Sequence, residues 1–527
     1  MRSVNVTMAS LLSLLLCVCS VVAHAQPVRI SVAEFSKDPA SVAGLKSAID
    51  SMRTASDADP MSQEFRTSLA YWANTHGYIG TGTHATSMQK YIIDYRMPQC
   101  LQAYPKSTCD AYYKHVVNVD VPPDGYTDSI WGTCQHGNLF FLPWHRFYLH
   151  YFERTVRKRM NNPQFALPYW NYFDNYVPTR KGIVLPPLVV GSQNTLQDTW
   201  RTPGLNEAKV VMDASSADAS QAFSFNDFTN FSNTLQGQPH GAMHCAVGSG
   251  CVMPDIGLVP IAGADPVFYM HHANIDRLWQ CWMVRKANGQ TIDLAWAKAN
   301  LGMPDSWYEQ SYTFIDENGN PVNVKVADVF SAQYTPSYDQ LQDCGVNPAT
   351  KRTLLLATAV KGRSPLMAHR TRVLDTPVTL GNKPVNVSLK PDPAPQLEMN
   401  DSVEPTGQSE GHTYLVLEDV TLVGLPALTY KVYIFNKKNP KKASYVATFS
   451  FFGTGPAHEG HGDGSSLGDL VYQVSGNLAE LGIQSADDIG IRFEPTNLLV
   501  GQKLRNQAAG NGVKVGSIRL KTTPDAP

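Results

Sequence analysis

The chain has 527 residues, a length typical of two to four domains, and its 43 basic and 45 acidic residues leave a formal net charge of −2. This balance excludes the strongly basic surface with which proteins bind nucleic acid or an anionic membrane. We therefore expect a small-molecule substrate.

Residues 1–25 have the pattern of a secretory signal peptide. Arg2 provides the positive start, and Leu11 to Val22 form an apolar core that is too short to span a bilayer. Small residues at Ala23 and Ala25 mark a cleavage site. The mature protein is expected to be secreted or periplasmic, with no membrane span.

The spacing of apolar residues changes about two thirds of the way along the chain. Helical spacing is first seen at Ser41 to Met52 and recurs to about residue 300. After residue 350, short runs such as Tyr430 to Phe435 are rich in Val, Tyr and Phe, which is typical of strands. Lys383 to Gly407 contains five prolines, which indicates a linker. We predict a mainly α domain at 26–350, a linker at 351–395 and an all-β, sandwich-like domain at 396–527.

Seven cysteines remain once the predicted signal peptide is removed. An odd number in an oxidising compartment leaves one thiol for another use. Proximity in sequence suggests three bridges, but it cannot fix connectivity. The simplest pairs are Cys100 with Cys109, Cys245 with Cys251, and Cys281 with Cys344, which leaves Cys134.

Six of the fifteen histidines form two groups of three. The first group is His115, His136 and His145, and the second is His240, His244 and His272. Imidazole suits copper, zinc and iron, and the lack of carboxylates in the set argues against a di-iron or magnesium site. Copper and zinc both remain open on this basis.

The second group has the spacing of metal ligands on helices. His240 and His244 are four residues apart, which places both imidazoles on one helix face. Asp265 is a good N-cap for a helix running to Trp282, and His272 lies on the apolar stripe of that helix. His271 points about 100° away from it. We therefore predict His272 as the ligand, with His271 beside the site.

The same facing argument separates His145 from His150. His145 shares a face with Leu149 and Phe152, whereas His150 aligns with the charged residues Glu153 and Arg157. We expect His150 to be solvated.

These residues resemble the type 3 copper proteins, the family of tyrosinases, catechol oxidases and molluscan hemocyanins. The stretch CQHGNLFFLPWHR at 134–146 is similar to the first copper motif of the family, and DPVFYMHHANIDR at 265–277 is similar to the second. ALPYWNY at 166–172 resembles the segment between them. The resemblance covers about residues 26–345 and implies that this part is the catalytic domain, a helical bundle around two copper ions.

Carried over position by position, the resemblance implies that His115, His136 and His145 bind the first copper and that His240, His244 and His272 bind the second. It implies oxidation of o-diphenols to o-quinones with O₂. In fungal and molluscan members a Cys-x-His sequence forms a thioether, so Cys134 is expected to be linked to His136. Asp276 is expected to orient a ligand imidazole.

The sequence departs from the family at three positions of the substrate pocket. A glutamate and an asparagine that are linked to phenol hydroxylation are replaced by Gln236 and Gly241, and neither residue can act as a base. Hydroxylation of monophenols is therefore expected to be weak or absent. Val259 stands where plant members have a gating phenylalanine, which should admit bulkier diphenols.

Residues 396–527 resemble the β-sandwich that shields the active site in latent plant and some bacterial polyphenol oxidases. His458 and His461 within this part are interpreted as a polar loop, with copper capture as the alternative. The remaining histidines without a partner pattern are interpreted as ordinary: His76, His84, His369 and His412.

The sequence thus predicts a dicopper polyphenol oxidase that acts on a small phenolic substrate and O₂. Two alternatives share the copper site: a hemocyanin-like oxygen-binding protein without turnover, and an o-aminophenol oxidase. A zinc hydrolase is a further alternative, but it leaves the Cys-x-His sequence and the paired motifs unexplained.

Overall fold

The structure is a computed structural model. It describes residues 27–80, 97, 100–101, 105–116, 120–251, 255–341, 372–391, 412–423, 429–453, 466–504 and 512–523. The predicted signal peptide, His84, His369, Cys344 and the His458 to His461 loop lie outside these ranges. Within them, no helix is both long enough and apolar enough to cross a membrane.

The N-terminal part is mainly helical, as the apolar spacing predicted. Its α-helices are α1 (Val32–Phe35), α2 (Pro39–Thr54), α3 (Gln63–Arg66), α4 (Leu69–His76), α5 (Lys106–Val116), α6 (Phe141–Met160), α7 (Phe228–Leu235), α8 (Ala242–Val247), α9 (Val267–Ala287), α10 (Leu294–Asn300) and α11 (Asp305–Glu309). A π-type turn, Gln236–Gly241, joins α7 to α8.

Helices α6 and α9 form the centre of this part and pack against each other, with α2 on the outer side of α6. Both end at an asparagine in the left-handed region, Asn161 and Asn288, which closes the last turn. The side chain of Asp265 accepts from the backbone N–H of Val267 at 2.9 Å, so it caps α9 as predicted, although the helix begins one residue later than expected.

Short strands fasten the loops around this helical core. They are β1 (Val28–Arg29), β2 (Tyr176–Val177), β3 (Gly182–Ile183), β4 (Met212–Asp213), β5 (Ser311–Ile315), β6 (Pro321–Lys325) and β7 (Ser337–Tyr338). Strand β1 pairs in parallel with β7, so the start of the described chain is held against the end of the helical part.

The C-terminal part is rich in sheet. Its strands are β8 (Arg372–Leu374), β9 (Val378–Leu380), β10 (Val385–Ser388), β11 (Lys390–Pro391), β12 (His412–Val423), β13 (Thr429–Asn436), β14 (Asn439–Phe449), β15 (Ser466–Gln473), β16 (Ile489–Thr496), β17 (Gly512–Val515) and β18 (Ser517–Thr523), with one helix, α12 (Ser475–Leu481). One sheet has the order β10-β16-β13-β14, and the other has the order β11-β8-β18-β12-β17-β9, with β15 also on β12. Both sheets contribute to a single apolar core, with Leu415 and Leu520 from one and Val432 and Ile491 from the other.

The predicted linker at 351–395 is wrong in its second half. Residues 372–391 contain β8 to β11, of which β8, β9 and β10 pair with β18, β17 and β16, and β11 pairs with β8. Of the prolines that suggested a linker, Pro391 lies in the edge strand β11, a position where proline is tolerated.

The C-terminal part packs directly on the helical part around the π-type turn. Gln238 accepts from the backbone N–H of Thr448 at 2.7 Å, and Lys431 pairs with Asp213 at 2.5 Å. Backbone hydrogen bonds also cross the interface, including one from Asp213 N–H to the carbonyl of Leu498 at 2.8 Å. The functional site lies beside this interface.

Candidate metal centre

Three buried histidines, His76, His136 and His145, form the first group of candidate metal ligands. His76 is the last residue of α4, His136 lies in the loop before α6, and His145 is in the first turns of α6. The Nε2 atoms of His76 and His145 are 3.3 Å apart, and the ring of His136 lies 5.2 Å from each of the other two rings.

His76 therefore lies in the first group, so interpreting it as ordinary was wrong, whereas the assignment of His115 as a ligand stays a prediction. His115 lies in α5, and its side chain is outside the described residues. Packing of α4 on the turn Val259–Ala264 brings His76 to the site, where its Nδ1 is 2.7 Å from the carbonyl oxygen of Val259. This contact spans 183 positions and leaves no trace in local spacing.

The second group contains four buried histidines, His240, His244, His271 and His272. The Nε2 atoms of His244 and His272 are 3.2 Å apart. The two groups face each other, because the rings of His145 and His272 stack at 4.5 Å with an angle of 12° between their planes.

Backbone carbonyls fix the orientation of these imidazoles. The Nδ1 atom of His145 lies 2.8 Å from the carbonyl oxygen of Phe141. The Nδ1 atom of His240 lies 3.0 Å from that of Gln236, and the Nδ1 atom of His244 lies 2.6 Å from that of Ile256. A carbonyl oxygen only accepts, so Nδ1 donates in each case and a neutral ring has its lone pair on Nε2.

Burial keeps these three rings neutral. It lowers the pKa of His240 to about 3 and holds the pKa values of His145 and His244 well below the ordinary range, with neighbouring histidines adding to the effect for the last two. Nε2 of His240 is buried and has no hydrogen-bond partner among the described residues. A buried acceptor left in this state costs about 1–3 kcal/mol. A cation bound to the converging nitrogens would remove this cost, so the donor set fits a metal pair.

His271 and His272 differ in their surroundings. The ring of His272 stacks on that of His145, and the ring of Phe268 lies 4.2 Å from it. Nδ1 of His271 lies 2.7 Å from the hydroxyl of Tyr172, and its ring is close to His244 at 4.5 Å. Only His272 of the two stacks on a member of the first group.

Cys134 is buried and is a free cysteine in the structure. Its Sγ lies 3.2 Å from Nδ1 of His136. Burial raises the pKa of the Cys134 thiol well above its ordinary value. The sulfur is thus next to the imidazole ring that the sequence predicted as its partner.

The predicted disulfides Cys100–Cys109 and Cys245–Cys251 are confirmed. Cys281 is also disulfide-bonded. Its predicted partner, Cys344, is outside the described residues, so that pairing stays a prediction.

Among the described residues, the carboxylate of Asp276 contacts two arginines and a tyrosine rather than an imidazole, contrary to the expectation. Its carboxylate accepts from Arg146 Nε at 2.6 Å, from Arg29 Nη1 at 3.1 Å and from the hydroxyl of Tyr338 at 2.6 Å. All four side chains are buried. Asp276 therefore ties α9 to the residue after His145 and to the paired strands β1 and β7.

His150 was also predicted wrongly as solvated. Its ring packs at 4.7 Å from that of Tyr334, and burial lowers its pKa to about 3. The charged residues on its side of α6 turn away to pair elsewhere, as Arg154 does with Glu317 at 2.7 Å.

Gln236 is held close to the first group by two hydrogen bonds. Its Nε2 donates to the carbonyl of Asn138 at 3.0 Å, and its Oε1 accepts from the N–H of Gly137 at 2.9 Å. Its own carbonyl orients His240. The side chain thus connects the loop after His136 to the turn before His240.

Gly241 and Val259 have contacts that the sequence did not show. A Cβ at Gly241 would lie 2.5 Å from Ser450 Oγ and 3.3 Å from Phe452 Cβ, so the C-terminal part packs on this glycine. Val259 is buried, and its carbonyl accepts from His76.

Phe452, just after β14, reaches the second histidine group. Its ring lies 3.8 Å from that of His244, 5.4 Å from His240 and 5.9 Å from His136. A cavity of about 280 Å³ begins here, between α7 and strand β15. His136, Gln236, His240 and Phe452 are among the residues that line it.

Comparisons with known proteins agree with this geometry. The common central domain of tyrosinase matches residues 66–204 and 189–285. A tyrosinase of Hahella sp. (strain CCB-MM4), HcTyr1, is 25% identical over 418 residues, covering 71% of this chain and 82% of the relative. The latent form of the chloroplastic polyphenol oxidase of Prunus armeniaca is 25% identical over 415 residues, covering 71% of this chain and 63% of the relative, so the chain spans just under two thirds of that enzyme.

Solved structures share the fold of both parts. Recombinantly expressed latent aurone synthase, a polyphenol oxidase, superposes with a TM-score of 0.58 at 18% identity, covering 96% of this chain and 90% of that chain. Latent apple tyrosinase has a TM-score of 0.51 at 17% identity, covering 95% and 98%. The helical core with a sheet-rich C-terminal part is therefore a known arrangement. The matched tyrosinase central domain, the named relatives and the two facing histidine groups together support a member of the type 3 copper proteins, which is a copper-dependent oxidoreductase with a pair of copper ions as its cofactor.

Proposed function

We propose that this protein is a dicopper polyphenol oxidase that oxidises o-diphenols to o-quinones with O₂. The facing arrangement of the two buried histidine groups carries the proposal. Two bound copper ions would accept electrons from the diphenol and pass them to O₂. The family and its named relatives support this reaction class, and the choice between diphenols and monophenols rests on the residues around the site.

We assign His76, His136 and His145 to the first copper and His240, His244 and His272 to the second. The helices that hold them, α4, α6, α8 and α9, would form the bundle around the metal pair. In four of the six histidines, Nδ1 contacts a backbone carbonyl, which leaves Nε2 as the atom that would bind the metal. Phe141, whose ring is 4.5 Å from His145, and Phe268 keep water from the inner side.

The environment of Gln236 supports a preference for diphenols. A monophenol must lose its proton before it can bind as a phenolate, and a carboxamide is not a base. Both functional atoms of Gln236 are already hydrogen-bonded to the Gly137–Asn138 backbone. A catechol is more acidic and is oxidised without hydroxylation, so it depends less on such a base.

The position of Phe452 supports a latent full-length chain. Its ring covers His244 in a nearly parallel stack, in the space that a substrate ring approaching the second copper would need. Gly453 follows with a left-handed backbone, and a Cβ there would lie 3.1 Å from His136 Cβ. We infer that the C-terminal part shields the site until Phe452 moves away.

A thioether between Cys134 and His136 is part of the proposal. The 3.2 Å distance from Sγ to Nδ1 places the sulfur against the ring. The thioether would join Sγ to a ring carbon with loss of the S–H and C–H hydrogens, and O₂, the oxidant of the proposed reaction, would take up the two electrons and two protons. This bond would leave six cysteines for three disulfides. Mass spectrometry of the reduced and alkylated mature protein should show six labelled thiols. Seven labelled thiols would mean that Cys134 is unmodified.

The test of function uses the copper-loaded full chain with 4-methylcatechol, tyramine and o-aminophenol, before and after limited proteolysis. We expect about two copper ions per chain and quinone formation from the catechol that increases after proteolysis. Reversible O₂ binding without quinone formation in both samples would favour the hemocyanin-like alternative. The position of Phe452 over His244 is the observation that keeps this alternative open. Faster turnover of o-aminophenol than of catechol would favour the other alternative.

A further inference from the structure

The cavity beside Phe452 has walls from both parts of the fold. One wall comes from α7 and the turn that follows it, and the other comes from the end of β14 and from β15. His136 of the first histidine group and His240 of the second also line it. Its volume of about 280 Å³ is close to the lower limit of about 300 Å³ for sites that bind small molecules. The cavity thus joins the candidate metal centre to the C-terminal part.

The wall from α7 is polar on its cavity side. Asn230, Asn233 and Thr234 line the cavity, whereas Phe231 and Leu235 of the same helix belong to the apolar core. Carboxamide and hydroxyl groups both donate and accept hydrogen bonds. This wall therefore suits a polar side chain on the substrate rather than an apolar one.

Asp469 gives the opposite wall a negative charge. It lies in β15, and neither lysine nor arginine is found among the described residues that line the cavity. Its Oδ1 accepts from the backbone N–H of Asp419 at 3.0 Å, which holds the carboxylate in place. A carboxylate has lone pairs for further donors, and a protonated amine offers three N–H groups. Among these residues, a cationic group would meet a partner of opposite charge at Asp469.

The charge of a metal pair would not cancel this preference. Copper ions bound by the histidines would add positive charge at their end of the cavity, and the catechol oxygens that lose their protons there would be negative. A catechol with an amine on its side chain, away from these oxygens, has the order of charges that matches the cavity. A carboxylate on the side chain would instead be repelled by Asp469.

We propose that this cavity receives the side chain of the substrate and that Asp469 makes it select catechols with a protonated amine over neutral or acidic catechols. The inference rests on the proposed function, because it concerns the substrate of that same site. It deepens that function by naming a substrate class. It also gives the C-terminal part a role in substrate choice in addition to shielding.

The experiment compares the copper-loaded full chain with its Asp469→Asn variant. Asparagine keeps an oxygen that accepts from the N–H of Asp419 and removes the charge. Asp419→Asn is the matched control, because it removes the same charge from an exposed neighbour that is not among the residues lining the cavity. All three chains carry Phe452→Ala, which removes the ring over His244 and changes no residue of β15. The substrates are dopamine, 4-methylcatechol and 3,4-dihydroxyphenylacetate, which are cationic, neutral and anionic.

Asp469→Asn should lower kcat/KM for dopamine about two- to five-fold relative to 4-methylcatechol, the effect expected of a partly exposed ion pair. The value for 3,4-dihydroxyphenylacetate should rise. The change should lie in KM rather than in kcat, since the amine takes no part in the reaction. It should shrink in 1 M salt, where screening leaves a range of about 3 Å.

The control should have the substrate ratios of the parent chain. Equal ratios in the parent and Asp469→Asn chains would overturn the inference. An equal change in Asp419→Asn would also overturn it, because the effect would then come from net charge rather than from a group in the cavity.

Binding to the same three full chains without metal separates this inference from the proposed function. Saturation-transfer NMR with tyramine and 4-hydroxyphenylacetate measures binding without turnover. Asp469→Asn should weaken the tyramine signal, and Asp419→Asn should not. If no chain oxidises a catechol but tyramine binding depends on Asp469, the proposed function fails and the charged side-chain site stands. Tyramine binding that does not depend on Asp469 would overturn the inference, whatever the activity.

Discussion

The ring of Phe452 stacks on that of His244 at 3.8 Å, with only 9° between the planes. The two residues are 208 positions apart and belong to different parts of the fold. Phe452 is 8% exposed, so this contact is shielded from solvent on nearly all sides. The C-terminal part therefore reaches the proposed second copper site with an aromatic ring of about the size of a phenol.

Replacing Phe452 with Ala should activate the full chain without proteolysis. Truncation of a packed phenylalanine lowers stability by about 3–5 kcal/mol. Part of this loss destabilises the closed form, in which Phe452 covers His244, relative to the open form. We therefore expect kcat/KM for 4-methylcatechol to rise about 10- to 100-fold. Phe451→Leu is the control, because Phe451 packs on Phe449 in the β core. An equal increase in the control would show that general loosening, rather than removal of the ring, is responsible.

His76→Ala should remove the first copper, whereas His115→Ala should leave both. Nε2 of His76 faces Nε2 of His145 at 3.3 Å, so its loss leaves two of three ligands. Copper per chain, measured by elemental analysis, should be about one and two respectively. The opposite result would restore the ligand set implied by the sequence motifs.

His272→Ala should remove the second copper, and His271→Ala should retain it. His272 stacks on His145, while His271 is held by Tyr172. His150→Ala, on the same helix as His145 but packed on Tyr334, should also retain both ions. Loss of copper from His271→Ala with retention in His272→Ala would reverse the assignment.

Gln236→Glu should increase hydroxylation of tyramine while oxidation of 4-methylcatechol changes only a few-fold. A general base typically contributes about 10² to 10⁴ in rate, but a carboxylate here loses the hydrogen bond to Asn138 O and must turn away from it. Gly241→Asn alone is unsuitable as a partner change in the full chain, since its Cβ would meet Ser450. Combining it with Ser450→Gly removes that contact. Monophenol turnover in the wild type as fast as diphenol turnover would contradict the role assigned to Gln236.

Acid should loosen the interface through Asp213. Burial pushes the pKa of this carboxyl group up, but the ion pair with Lys431 and the hydrogen bonds to Ser215 outweigh it, and the pKa is lowered overall. A group with a lowered pKa stabilises the closed form above its unfolded pKa, and the effect is lost as the pH falls through the lowered value, here below about pH 4.

Asp213→Asn should therefore be more active than the wild type when both are assayed at pH 6, and should gain less from brief exposure to pH 3.5. Asp488→Asn is the matched control, because Asp488 pairs with the exposed Lys438 and both residues lie within the C-terminal part. If Asp213→Asn and Asp488→Asn behave alike, the ion pair with Lys431 does not hold the interface.

Local sequence signals predicted five of the six ligands now proposed because those histidines lie within dense motifs. His136 and His145 flank the start of α6, and His240 and His244 are one helical turn apart. His76 ends an apolar helix that shares no spacing with them, and only the packing of α4 on the Val259 turn reveals it.

The errors at Asp276 and His150 have a common cause. Helical facing predicts which residues share a side but not what packs on that side. Arg29 and Tyr338, which come from distant segments, donate hydrogen bonds to Asp276. The ring of Tyr334 packs on that of His150. In the C-terminal part, the strand predicted at Tyr430 to Phe435 is confirmed as β13, whereas proline content misled the interpretation of 372–391.

The backbone hydrogen bonds between the two parts bear on how a cut chain would behave. Asp213 N–H donates to Leu498 O at 2.8 Å, and Val500 N–H donates to Val211 O at 3.0 Å. These bonds do not depend on the covalent connection between residues 341 and 372. A protease that cleaves only that connection should therefore yield two fragments on a denaturing gel that still migrate together, at the size of the intact protein, in a non-denaturing separation. Cleavage and release would then be separate events, and activity would follow release.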